Sequence, residues 1–167
     1  MTAPIIVSAL FGGEDQAAFD RLRTAYFPVE RNHLAAHLTL FHHLPPSVLS
    51  ELKQRLSVET RSVPAPVASA ADLMNLGRGV AVRIDSPELA AIRGRLADAF
   101  VSLLTPQDAA GWRGHVTVQN KVSPAEARAT LALLQTEFRP RAVRIAGIAT
   151  WYYRGGPWQN ISRHMFA

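Results

Sequence analysis

Apolar and β-branched residues fill positions 4–11 and stop at Gly12-Gly13, which predicts a buried strand. Phe19, Leu22 and Tyr26 then recur at helical spacing behind acidic Glu14 and Asp15, placing a helix over 14–27 that Pro28 ends. Apolar and polar residues alternate over 36–44, a second strand broken by Pro45-Pro46-Ser47. Leu49, Leu52 and Leu56 form one face of a helix over 48–56. Positions 67–74 and 79–84 read as strands around a turn. Ser86-Pro87-Glu88 starts a helix, with Ser86 as N-cap and Pro87 in the first position, and it extends to about 104. A loop over 105–114 leads to an alternating strand at 115–122. Ser123-Pro124-Ala125-Glu126 has the spacing of a capping box and opens a helix over 124–138. Strands at 141–153 and 158–165 close the chain.

The order strand, helix, strand, helix, strand therefore occurs twice, over approximate repeats 4–74 and 79–153 within one domain of residues 1–167. The second strand of each repeat opens with the same kind of word, His37-Leu38-Thr39-Leu40 and His115-Val116-Thr117-Val118. Alternation puts His37, Thr39, Phe41 and His43 on one face, with His42 on the other. It likewise puts His115, Thr117, Gln119 and Lys121 together. A face of His, Thr, Gln and Lys makes a poor core surface, because every buried polar group needs a partner. These two faces are expected to border a cleft.

Composition narrows the picture. With 48% hydrophobic and 19% charged residues, this is a globular chain, and it has no cysteine for disulfides, thiol catalysis or thiolate metal sites. No basic segment precedes the apolar run at 5–11, and no run would span a bilayer, so a cytoplasmic protein is expected. The net charge of +5 favours an anionic partner. Only Lys53 and Lys121 are lysines; the other basic residues are arginines, whose planar fork suits phosphate.

Two histidines suit phosphodiester chemistry. A neutral one takes a proton from the attacking water or hydroxyl, and a protonated one gives a proton to the departing alkoxide. An unperturbed pKa of about 6.5 makes both forms accessible. Threonine hydroxyls two residues on can donate to non-bridging phosphate oxygens. The cluster His33, His37, His42 and His43 is dense enough to raise a zinc site. However, His42 is read as facing away from His37 and no carboxylate stands close by, so neither metal nor cofactor is expected.

With both His-x-Thr-x words in place, the chain resembles the 2H phosphoesterase superfamily, in particular its bacterial 2′-5′ RNA ligase-like branch. The surrounding words HLTLFHHLP (37–45) and GHVTVQNKV (114–122) are similar too. The resemblance implies an α+β fold of two pseudo-symmetric lobes around a central cleft. Each lobe would be an antiparallel-rich sheet with helices on its outer face. It implies His37 and His115 as the acid–base pair, and Thr39 and Thr117 as phosphate-binding residues. Which histidine is acid and which base depends on substrate orientation, because such a site is pseudo-symmetric; resemblance to hydrolases that leave a 2′-phosphate favours His37 as acid and His115 as base. The residues expected to extend the site are His43, Arg113, Gln119 and Lys121 near phosphate or ribose, and Trp151 and Tyr153 as faces for a base.

The expected activity is opening of 2′,3′-cyclic phosphates, or cleavage of 2′-5′ phosphodiesters, on RNA ends or small nucleotides. No membrane and no obligate protein partner is implied. The sequence leaves open RNA end ligation and, from a different class, an RNA- or nucleotide-binding module without turnover.

Overall fold

The computed structural model describes residues 3–167. Among the described residues, seven strands and five α-helices follow in the order β1 (Ile5–Phe11), α1 (Gly13–Tyr26), β2 (Leu38–Leu44), α2 (Leu49–Thr60), β3 (Val67–Asn75), β4 (Val80–Asp85), α3 (Pro87–Ala99), α4 (Pro106–Ala109), β5 (His115–Gln119), α5 (Pro124–Glu137), β6 (Arg141–Tyr152) and β7 (Gln159–Met165). The helix starts follow the chemistry of their first residues. Ser86, Thr105 and Ser123 each accept a hydrogen bond from the backbone N–H three residues on, satisfying a donor that the helix leaves orphaned. The structure departs from the sequence pattern at several element ends: β2 begins at Leu38, α2 runs on to Thr60 and β5 stops at Gln119. Helix α3 stops at Ala99, where Phe100 turns into the core, and the loop at 105–114 contains the short helix α4.

The strand pairing is wholly antiparallel and gathers into two groups. All belong to one hydrogen-bonded sheet in the order β1–β2–β5–β4–β3–β6–β7, with β1 also pairing β6, and the extended ladders within it run β2–β1–β6–β7 and β5–β4–β3–β6. Long strand β6 serves both, because Arg141–Arg144 pair with β3 while the stretch from Ile145 to Tyr152 pairs with β1. The only other junction among the described residues is one residue pair, Leu38 of β2 with Val116 of β5. Each half of the sequence thus gives its third strand to the other half's sheet: β3 joins β4, and most of β6 joins β1.

Leu38, Leu40, Phe41, Leu44, Val116 and Val118 are essentially fully buried. At about 1.5–3 kcal/mol for each large apolar side chain removed from water, they fix which face of β2 and β5 points inward. Helix α2 packs on β7 and β6, α3 on β3, α5 on β3 and β4, and α1 on β5, so α1 reaches across from its own half. No helix among the described residues is long and apolar enough to cross a membrane.

Candidate active site

The Leu38–Val116 pair sets the geometry of the site. It joins the second residues of the two His-x-Thr words in antiparallel register. One step along that register either way places His37 across from Thr117 and Thr39 across from His115. Leu38 and Val116 point into the core, so the four flanking side chains project from the opposite face. All four line one cavity of about 390 Å³.

The two rings are held alike. His37 Nδ1 lies 2.8 Å from the carbonyl oxygen of Ala35, and His115 Nδ1 lies 2.8 Å from that of Arg113. A carbonyl only accepts, so each Nδ1 carries a proton and donates it. Each neutral ring therefore presents a bare Nε2, the atom that can take or pass on a proton. Trp158 packs on the His37 ring with centroids 4.6 Å apart. Burial holds the His37 pKa below the ordinary histidine value, against the hydrogen bond to Ala35, and positive charge on Arg23, His42 and His115 adds to the lowering.

Buried and partly buried side chains from distant elements steady the motif backbones. Arg23 of α1 donates from Nη1 to the carbonyl of Thr117 at 3.0 Å. Trp112 Nε1 donates to the carbonyl of Thr39 at 2.8 Å. Arg93 of α3 donates from Nε to the carbonyl of Leu40 at 3.1 Å and from Nη2 to that of Asp108 at 2.6 Å. The Asp108 carboxylate is buried and accepts from the backbone N–H groups of His42 and His43 and from His42 Nδ1, at 3.0–3.1 Å. Burial works against its charge, but those bonds outweigh it and keep its pKa below the usual carboxylate value.

Several expected site residues lie elsewhere, and strand bulges explain why. In β2 the pairing with β1 skips a residue between Thr39 and Phe41, and another between Phe41 and Leu44. Leu40 and Phe41 are then both buried, and the alternation changes phase. His42 lines the cavity with His37, contrary to the expected face, whereas His43 lies off it; both are solvent-exposed.

In β5 the pairing with β4 skips Val118, so Gln119 stands opposite Val80 instead of following Thr117. Gln119 does not reach the cleft: it is 1% exposed and donates from Nε2 to Thr130 of α5 at 2.8 Å. Only a residue without a side chain fits beside this bulge, since a Cβ on Gly79 would lie 1.9 Å from the Gln119 carbonyl oxygen.

Lys121 lies beyond the end of β5 with φ +63° and lines a neighbouring cavity that also touches His37 and Thr117. Arg113 borders the central cavity. Trp151 lines a cavity on the far side of His37 and donates to Ser8 Oγ at 2.8 Å, while exposed Tyr153 borders the one with Lys121. Sequence reasoning does not single out Arg23, Arg93, Trp112 or Asp108, and none has a local signature. Their roles come from contacts with residues far along the chain.

The fold and the facing His-x-Thr words define a protein of the paired-histidine class. The profile of the 2′-5′ RNA ligase superfamily matches residues 12–157, and the chain belongs to that family. Solved structures share the fold. TT0787 of Thermus thermophilus superposes with a TM-score of 0.65 at 14% identity, over 99% of this chain and 98% of that one. Escherichia coli LigT complexed with 3′-AMP gives 0.64 at 14% identity, over 100% and 99%. A structure described as a phosphoesterase gives 0.61 at 14% identity, over 100% and 99%. No curated protein sequence matches the chain at a significant level.

Proposed function

We propose that this chain is a metal-independent phosphodiesterase that opens 2′,3′-cyclic phosphates or cleaves 2′-5′ phosphodiesters of RNA ends or small nucleotides. One observation carries the reading. Two imidazoles, each with Nδ1 tied to the carbonyl two residues upstream, share one cavity with both motif threonines. A pair prepared in this way turns two Nε2 atoms to one space, where one can accept a proton and the other, once protonated, can donate one. Binding alone would not require two rings fixed in the same tautomer.

In the mechanism, the scissile phosphate lies between the rings, and the Thr39 and Thr117 hydroxyls donate to its non-bridging oxygens. Their bonds strengthen as charge builds in the transition state. One Nε2 removes the proton of the attacking water while the other protonates the leaving oxygen. We keep His37 as donor and His115 as acceptor. The lowered pKa of His37 makes it a stronger acid while reducing its protonated population near neutrality. Trp158 and Trp151 offer aromatic faces for a base beside His37. We place the protein in the cytoplasm, acting on nucleotide substrates without an obligate protein partner.

The test is incubation of the purified protein, with chelator present, with a nucleoside 2′,3′-cyclic phosphate and with a 2′-5′-linked dinucleotide. Products are separated beside His37→Ala and His115→Ala controls. Turnover that each substitution lowers by about 10²–10⁴-fold supports the assignment. Equal turnover by the variants refutes it. Joining of RNA ends without hydrolysis would move the chain to the ligase reading.

A further inference from the structure

His37 stands where three cavities meet. The central one holds the acid–base pair. A second, of about 390 Å³, carries Trp151 and Trp158. The third, of about 530 Å³, touches both His37 and Thr117 and is lined by Arg23, Arg31 and Lys121, with no carboxylate among the described residues of its wall. The mechanism leaves that third space without an occupant.

The cations of this wall, like most arginines of the chain, form no salt bridge among the described residues. Among the described residues, the arginines paired with carboxylates are Arg55, Arg83, Arg95 and Arg141. Arg23, Arg31 and Lys121 take part in no such pair there. Arg23 is buried, and its guanidinium uses Nε on Asn32 Oδ1 at 3.1 Å and Nη1 on the Thr117 carbonyl at 3.0 Å. Its Nη2 donates to no protein atom among the described residues. Lys121 holds a left-handed backbone at φ +63°, a conformation non-glycine residues rarely adopt, and its side chain is exposed. Three cations, from α1, the α1–β2 connection and the end of β5, thus line one space next to His37 and Thr117; Asp20, outside its wall, is the carboxylate whose charge reaches Arg23. Such convergence disfavours the empty state by mutual repulsion and favours an anion with several acceptor oxygens.

We propose that this third cavity is a subsite for a second phosphate of the substrate, held beside the scissile one by Arg23, Arg31 and Lys121. The inference rests on the phosphodiesterase reading and names its substrate class: a cyclic phosphate or 2′-5′ ester that carries a further phosphate, as at the end of an RNA chain. A bare nucleoside cyclic phosphate fills only part of the site.

The experiment compares uridine 2′,3′-cyclic phosphate with and without a 5′-phosphate, and with the dinucleotide UpU 2′,3′-cyclic phosphate. It uses the wild-type chain and the double variant Arg31→Ala/Lys121→Ala. The added phosphate should raise kcat/KM by about tenfold or more, equivalent to at least about 1.4 kcal/mol. That preference should shrink with added salt and collapse in the double variant. A preference shared by the 5′-phosphate and the dinucleotide assigns the site to any adjacent phosphate; one confined to the dinucleotide assigns it to a chain phosphodiester.

Binding is read separately by calorimetry on His115→Ala, with uridine 2′-phosphate against uridine 2′,5′-bisphosphate. Absence of turnover on every substrate overturns the phosphodiesterase reading, and the binding ratio alone then decides the subsite. Equal kcat/KM and equal affinity with and without the second phosphate overturn the subsite, as does a preference that survives the double substitution.

Discussion

Asp108→Asn tests whether the bulged half of β2 is held by a buried charge. The wild-type carboxylate serves three donors with its two oxygens: His42 N–H, His43 N–H and His42 Nδ1. An asparagine keeps one acceptor oxygen and turns an NH₂ group toward a backbone N–H. At least one bond to a charged acceptor is lost, worth about 1.5–3 kcal/mol, and one buried N–H loses its partner at a further cost of about 1–3 kcal/mol. We expect a destabilisation of about 3 kcal/mol. For a chain of this size that lowers Tm by about 6–12 °C. The assay is thermal unfolding of both proteins followed by circular dichroism at neutral pH. The acid dependence supplies a second reading. The folded-state pKa of Asp108 is depressed below its ordinary 3.8, so its contribution is present above that value and lost as pH falls through the folded pKa. The gap between wild type and variant should therefore persist through mildly acidic solution and close only in strong acid. A Tm change under about 2 °C, or a gap that closes near about pH 6, would refute the reasoning.

Three further outcomes follow from the site and its surroundings. A phosphodiester with a p-nitrophenolate leaving group needs no proton on departure; it should restore much of the lost rate to His37→Ala but not to His115→Ala, and the opposite pattern would exchange the two roles. Gln119 leaves its Oε1 without a partner in the core, so Gln119→Leu with Thr130→Val, which removes both polar groups, should be neutral or stabilising by up to about 1 kcal/mol in denaturant titration, with turnover retained. His37 and His164 are both held below the ordinary 6.5, chiefly by burial, so their share of stability is full above that value and lost as pH falls through the depressed ones. Stability measured from about pH 8 to about pH 5 should decline in that direction, and His164→Gln should flatten the curve.

The strands, the long helices and both His-x-Thr words are legible because each rests on local information. Alternation marks β2 and β5, and Ser-Pro starts mark α3 and α5. The four motif residues follow from alternation because they lie before either bulge begins. Beyond that point the same reasoning fails. The irregularities at Leu40–Phe41 and at Val118 change the phase of the strand, and nothing in the local letters announces an inserted residue. Unbroken alternation consequently assigns Gln119 and His43 to the cleft and turns His42 away from it. The residues that steady the motifs are invisible for a different reason. Arg23 meets Thr117 across 94 positions, and His42 meets Asp108 across 66. Such partners are set by how the elements assemble, and charge patterning along a single helix does not contain them.

The exchange of third strands bears on how the protein can come into being. A chain cut between β3 and β4 would leave an amino-terminal piece whose last strand has no sheet of its own, and a carboxy-terminal piece whose long strand exposes an unsatisfied edge. Neither piece is a folding unit, yet each supplies what the other lacks. Co-expressed fragments should therefore reassemble as a complementing pair and remain insoluble or unstructured apart. For the intact chain this ties the catalytic pair to long-range assembly, because His37 and His115 sit on strands of different halves that meet at the single Leu38–Val116 pair.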